Sequence, residues 1–335
     1  MNFEQLATAR AQERADYVSV AADRLGLSEL IIEKDFWVVW TLKLLFDASE
    51  RLGPFTFKGG TSLSKGFGAI QRFSEDIDIS ISRSTLGFPN DEYFYNAPSS
   101  KQSKLRVDEV RRNVWTYTRD MLLPELRAAV AARLGHRAGW TLREDEPGSV
   151  RFTYPSGTRD SIGYVRPDVL IEFGHADSWP ANDVELSPYI ADAVGSVTGT
   201  ARVRVLDPKR TFWEKATLLH EIAFRPEAIP FPARSSRHYY DLTMLLRTAV
   251  AEDAIADRDL LTAVARFKSV FFASNRAHYE LAKHGTLRLM FPEFRRQAVQ
   301  KDYADMQAML FGDIPSFERV CDEISQLEAR INSLA

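Results

Sequence analysis

Apolar positions recur at helical spacing up to about residue 48, then alternate in twos through several short runs before residue 206. From Pro208 onward only helical spacing is found. Residues 3–24 and 28–48 are expected to be two helices split by Leu25-Gly26-Leu27, with Ser28 capping the second. In that second helix Ile32, Phe36, Val39, Leu42 and Phe46 form a broad apolar stripe, and Trp37 and Trp40 add buried area. The charged triplet Glu33, Lys34 and Asp35 reads as a solvated face with short-range ion pairs. Gly53-Pro54 ends this region and residues 55–58 are the first strand. The run Asp76-Ile77-Asp78-Ile79-Ser80-Ile81 alternates in twos, so both aspartates project from one face and the three isoleucines from the other.

Residues 83–104, with two prolines, asparagines and several serines, read as a mobile loop. A long helix is expected over 105–134, bent at Pro124, followed by strands at 139–143, 150–154, 163–173 and 202–206. Pro208 suits the first turn of a helix running to 224. Beyond the proline-rich connector 226–232, helices are expected at 235–250, 257–282, 292–310 and 316–333. The pattern as a whole is α/β (α+β): a catalytic module with a central sheet over residues 1–206, then an all-helical module over 207–335.

Composition narrows the setting more than the function. At 335 residues, with 45% hydrophobic and 27% charged residues, the chain can bury the core of two domains without staples. The single cysteine, Cys321, excludes an internal disulfide and a cysteine-built zinc site, and makes a reducing cytoplasm the expected compartment. Charges run through the first 30 residues, and no apolar run is long enough for a bilayer, so neither a signal peptide nor a membrane partner is expected. The net charge of −3 is unevenly spread. Between Arg266 and Lys301 eight Lys or Arg face two acids, a local balance of +6, with six aromatics interleaved. A nucleic-acid surface fits this stretch, and so does an amphipathic helix pair with its charges in water.

The candidate chemistry centres on residues 57–81. The Gly59-Gly60 turn, followed by Thr61 and Ser62, can bring backbone N–H groups against an anion, and Lys65 could meet a phosphate or lie on a solvated helix surface. Asp76 and Asp78 side by side repel each other, a cost that a divalent oxygen-seeking cation such as Mg²⁺ offsets. The run Asp168–Phe173 places Asp168 and Glu172 on one face. Glu172, enclosed by apolar neighbours, is the better third carboxylate for a two-metal clamp on a triphosphate, with Asp168 as the other choice. Lys215 lies on the buried side of its helix, among Thr211, Phe212, Leu218 and Leu219, and Asp241 faces inward on the next one. On the residues alone, a structural ion pair is the simpler account of these two. His220, His238, His278 and His284 lack metal-ligand spacing.

The segments IEKDFWVVWTL (32–42), FKGGTSLSKGFGAIQRFSEDIDISI (57–81), IEFG (171–174), FWEKATLLHE (212–221) and RHYYDL (237–242) resemble the AbiEii/MenT family of nucleotidyltransferase toxins. The resemblance spans roughly residues 28–245. It implies a nucleotidyltransferase fold and the toxin half of a toxin–antitoxin or phage-defence system. The implied activity is transfer of nucleotides from an NTP to the 3′ acceptor end of tRNA with Mg²⁺, or Mn²⁺ in its place, and a cognate antitoxin is the implied protein partner. Residue by residue, Gly59, Gly60, Thr61 and Ser62 match the nucleotide loop, Asp76 and Asp78 the metal pair and Glu172 the third acid, while Lys215 and Asp241 match the family's helical lysine and last aspartate. The fifteen residues from Thr61 to Glu75 make a longer gap than the general nucleotidyltransferase pattern, and one similar to these toxins. Two other readings remain: transfer to a protein or small molecule on the same fold, and a non-catalytic nucleotide- or RNA-binding module.

Overall fold

A computed structural model describes residues 1–88, 90–135, 139–157, 167–176 and 179–334. The chain forms two compact units, one made of residues 1–66 and 75–206, the other of residues 67–74 and 207–335.

The first unit is built on a sheet. Among the described residues its strands are β1 (Phe55–Lys58), β2 (Ile77–Ser82), β3 (Thr141–Glu144), β4 (Ser149–Thr153), β5 (Asp168–Ala176), β6 (Ala181–Leu186) and β7 (Ala201–Leu206), in the order β3-β4-β5-β2-β1-β7-β6. The sheet is mixed: β2 runs parallel to β5 and β1 to β7, and the remaining neighbours are antiparallel. The alternation read from sequence holds at its centre, where Ile77, Ile79 and Ile81 are fully buried and Asp76 and Asp78 are partly open. The expected strand 163–173 is found as β5; its first four residues lie outside the described residues. β6 was not expected, because only its last four residues, Asp183–Leu186, alternate, and this edge strand gains its order from pairing with β7.

Three N-terminal helices accompany the sheet: α1 (Phe3–Thr8), α2 (Ala11–Leu25) and α3 (Glu29–Asp47). Asn2 caps α1 in a reciprocal capping box, so what reads as one helix over 3–24 is two. Ser28 caps α3 as expected, its hydroxyl accepting from the Ile31 N–H at 3.3 Å. α3 is the core of this unit. Trp37 stacks on Tyr154 with ring centroids 5.4 Å apart, Trp40 stacks on Phe152 at 5.8 Å, and all four rings are buried. Each such ring removed from water contributes roughly 1.5–3 kcal/mol. A helix covered on every side has no solvated face, and here the sequence expectation fails: Glu33, Lys34 and Asp35 are 0%, 3% and 3% exposed.

Two further stretches differ from expectation. Residues 83–104 hold a short helix, Glu92–Tyr95, with Phe88 and Phe94 buried and the Arg83 guanidinium over the Phe94 ring and bonded to Asp91. The long helix spans Ser100–Tyr117 and Leu123–Leu134, joined by a π turn at Thr118–Leu122. Pro124 sits in the first turn of the second part, where its missing N–H leaves fewest bonds unmade.

The second unit is helical: Pro208–Phe224, Ser236–Leu245, Ala249–Ala256, Arg258–Phe271, Arg296–Met306 and Phe317–Asn332. The helix expected over 235–250 ends at Leu245, since Thr248 caps a new one by accepting from the Val250 N–H. Residues 67–74, which the sequence reading left with the sheet, belong here as a strap: Arg72 bridges Leu310, Phe73 N–H donates to the Met309 carbonyl at 2.8 Å, and Phe311 N–H to that of Gln71 at 3.0 Å. Eight of the fifteen residues between the glycine turn and the aspartate pair are thus spent within the helical unit.

Candidate active site

A row of polar side chains crosses one face of the sheet. Lys58, the last residue of β1, is paired in register with Asp78 on β2; Asp78 is paired with Glu172 on β5, and Glu172 with Ser149 on β4. Directly paired residues project from the same face, so Lys58, Asp78, Glu172 and Ser149 stand side by side. Asp76 lies immediately before β2, two residues from Asp78. The register therefore brings Glu172, and not Asp168, beside Asp78. Asp168 begins β5, four residues away along the strand, and is held by Arg151 at 2.9 Å. Lys58 is a member of this row that the sequence reading passed over as a strand end; only the pairing register reveals its neighbours.

The glycine turn borders the row. Gly59 has φ +84°, a left-handed conformation, and a Cβ there would overlap the Asp78 carboxylate. Residue 59 must lack a side chain for the turn and the acid to lie this close. The hydroxyls that follow tie the turn together. Thr61 Oγ1 donates to the Asp76 carbonyl at 2.6 Å and Ser62 Oγ to the Gly59 carbonyl at 2.9 Å, both side chains being buried. Thr61 thus links the turn to the backbone of the first acid. Lys65 is neither on a solvated surface nor directed at the row. Its ammonium lies 3.0 Å from Asp35 and 3.7 Å from the centroid of the Tyr189 ring. Burial raises the Asp35 pKa, opposed by Lys65 and by the Tyr189 N–H.

Asp76, Asp78 and Glu172 offer only carboxylate oxygens, the donor type that suits Mg²⁺ or Mn²⁺. Among the described residues no three His, Cys, Asp or Glu side chains are drawn together into a preformed metal cage. The fit is one of register and donor chemistry: two acids directly paired, a third two residues before one of them, and a glycine turn packed directly against that same acid.

Lys215 and Asp241 lie within the helical unit. Lys215 Nζ is 2.6 Å from Asp241 Oδ2, and the strap's Arg72 grips the same carboxylate with Nε at 2.7 Å and Nη2 at 2.9 Å. Burial alone would raise the Asp241 pKa, but the two cations reverse it and hold the carboxyl well below the usual range. Burial, with the Arg72 charge nearby, lowers that of Lys215. Arg72 went unnoticed in the sequence because its partner lies 169 residues away.

The basic stretch 266–301 divides. Lys268 and Arg295 turn inward, donating to the Glu214 carbonyl and to those of Arg225, Pro226 and Ile229, while Arg266, Arg276, Lys283, Arg288 and Lys301 are exposed, as are Phe272 and Phe294. His220 is a satisfied core histidine: Nδ1 accepts from the Arg288 N–H at 3.0 Å and Nε2 lies 3.1 Å from the His278 carbonyl.

A mixed sheet carrying paired acids beside a glycine turn, with a helical second unit, defines a nucleotidyltransferase fold. The family described as nucleotidyl transferase AbiEii toxin, Type IV TA system, matches residues 43–323, and the chain belongs to that family. Among solved structures the chain is similar to MenT4, a nucleotidyltransferase toxin from Mycobacterium tuberculosis H37Rv, at 16% identity and a TM-score of 0.52, over 95% of this chain and 90% of that one. No curated protein matches the sequence. Among the described residues no helix is long and apolar enough to cross a membrane.

Proposed function

We propose that the chain transfers a nucleotide from an NTP to the 3′ end of tRNA, with Asp76, Asp78 and Glu172 as the metal-holding acids, and so blocks translation in the cytoplasm. The observation that carries the reading is the direct pairing of Asp78 with Glu172, beside a turn whose glycine the Asp78 carboxylate requires. Mg²⁺ held by these acids would neutralise phosphate charge and polarise the α-phosphoryl group. Gly59 and Gly60 present backbone to the triphosphate, with Thr61 and Ser62 fixing the shape of the turn. The ribose 3′ oxygen attacks the α-phosphorus, a new P–O bond forms, the α–β bridge breaks and pyrophosphate leaves, while a carboxylate of the row accepts the hydroxyl proton. Lys215 would meet triphosphate charge, with Asp241, to which it is bonded, as its positioning partner. The exposed cations of 266–301 suit RNA phosphates. The Type IV assignment favours a cognate antitoxin as partner.

The test is incubation with total tRNA, Mg²⁺ and each labelled NTP, followed by sequencing of 3′ ends, with cell protein offered separately. Incorporation at tRNA 3′ ends by the wild type, abolished in a folded Asp76→Ala chain, is the expected outcome. Label entering protein alone, or full activity in the variant, would refute the acceptor or the metal role respectively.

A further inference from the structure

The charged triplet near the start of α3 is buried, and the transferase reading above gives it no part. Its three consecutive side chains leave the helix about 100° apart and reach three different segments. Glu33 lies 3.6 Å from Arg14 and accepts from Ser156 Oγ and the Gly157 N–H, both at 2.7 Å. Lys34 Nζ is 2.6 Å from Glu75, the residue immediately before Asp76. Asp35 takes Lys65, in the turn Ser62–Gly66 that continues the glycine loop, and the Tyr189 N–H at 2.6 Å. Lys34 and Asp35 thus hold the two segments that the proposed chemistry depends on, the strand entry bearing the aspartate pair and the phosphate-facing turn, and they do so from adjacent positions on one rigid, buried helix.

Stability by itself does not account for this arrangement. Apolar residues of similar volume in place of a buried ion pair commonly leave a protein as stable or more so, whereas a charge pair fixes its partners in direction as well as distance. We infer that α3 is a positioning element for the transferase site: Lys34, through Glu75, sets the backbone that carries Asp76 and Asp78, and Asp35, through Lys65, sets the end of the glycine turn, so that one helix fixes the spacing between the two. This inference rests on the transferase reading above; Lys34 and Asp35 act in it through Glu75 and Lys65.

The experiment compares the wild type with two double variants, Lys34→Met with Glu75→Met, which removes the pair but fills the space, and Lys34→Glu with Glu75→Lys, which exchanges its ends. Thermal unfolding, the Mg²⁺ concentration giving half-maximal transfer, and amide hydrogen exchange at residues 75–78 are read for each. The methionine pair is expected to keep the wild-type unfolding temperature, yet to raise the half-maximal Mg²⁺ concentration about 10- to 100-fold, the usual effect of losing an outer-shell support, and to speed exchange at 75–78; the exchanged pair is expected to recover most of both. Wild-type metal dependence and exchange in a folded methionine pair overturns the inference. Should that chain fail to fold, Asp35→Asn with Lys65→Met makes the same comparison at residues 59–66. A wild type that transfers no nucleotide at all refutes the transferase reading, while amide exchange still decides whether α3 positions these segments.

Discussion

In the sheet unit three consecutive charges of α3 each find a separate partner, Glu33 with Arg14, Lys34 with Glu75 and Asp35 with Lys65; in the helical unit one carboxylate, Asp241, takes two cations, Arg72 and Lys215. Both clusters are buried, and both would be costly if left unpaired. Separate pairs of this kind spread the dependence over several segments. Shared pairing concentrates it: one acid serves both cations, and either cation can go while the other still bonds the acid. The α3 arrangement suits a helix that must place several segments at once, and the Asp241 arrangement suits a knot that closes a strap onto a helical core.

The largest effect that would test this contrast is expected for Asp241→Asn, which removes the carboxylate charge that two buried cations share. It should cost about 3–5 kcal/mol in urea unfolding at neutral pH; a loss no greater than that of an exposed ion pair would break the comparison. A smaller and graded effect should follow pH. The folded-state pKa of Asp241 is depressed, so the stability it supplies is fully present above its unfolded-state value of about 4 and is lost as pH falls toward the folded value. Unfolding measured stepwise below pH 5 should show a decline that Asp241→Asn lacks at this site; parallel pH profiles for the two chains would contradict the assignment. The smallest stability change is expected for Lys215→Met, roughly 1–2 kcal/mol, because Arg72 keeps its two-point grip on the carboxylate. The same substitution separates two roles. If Lys215 meets triphosphate charge, transfer falls far more than stability; if it serves only the knot, transfer follows the folded fraction.

Much of the fold was legible because period and punctuation are local. Ser28 and Pro208 announce helix starts that the structure keeps, and the isoleucines of β2 bury as their alternation requires. The aspartate pair and the glycine turn were legible for the same reason, since their chemistry lies within about twenty residues. The α3 triplet is not legible because helical periodicity assigns polar residues a solvent face, and only the packing of other elements around the helix removes that face. β6 is not legible because its alternation runs for only four residues, Asp183–Leu186, and its order comes from hydrogen bonds to β7.

By itself the sequence determined which residues can alternate, cap, turn and carry charge: the Asp76/Asp78 pair, the Gly59-Gly60 turn, a choice between Asp168 and Glu172, and the change from strands to helices after residue 206. Tertiary structure alone decided that Glu172 and not Asp168 stands beside Asp78, that Lys58 joins their row, that Arg72 shares Asp241 with Lys215, and that the charges of α3 point inward. The reason is that register and burial are properties of pairs of segments far apart in the chain. A side chain's own type fixes what it can bond, but only its neighbours in space fix what it does bond.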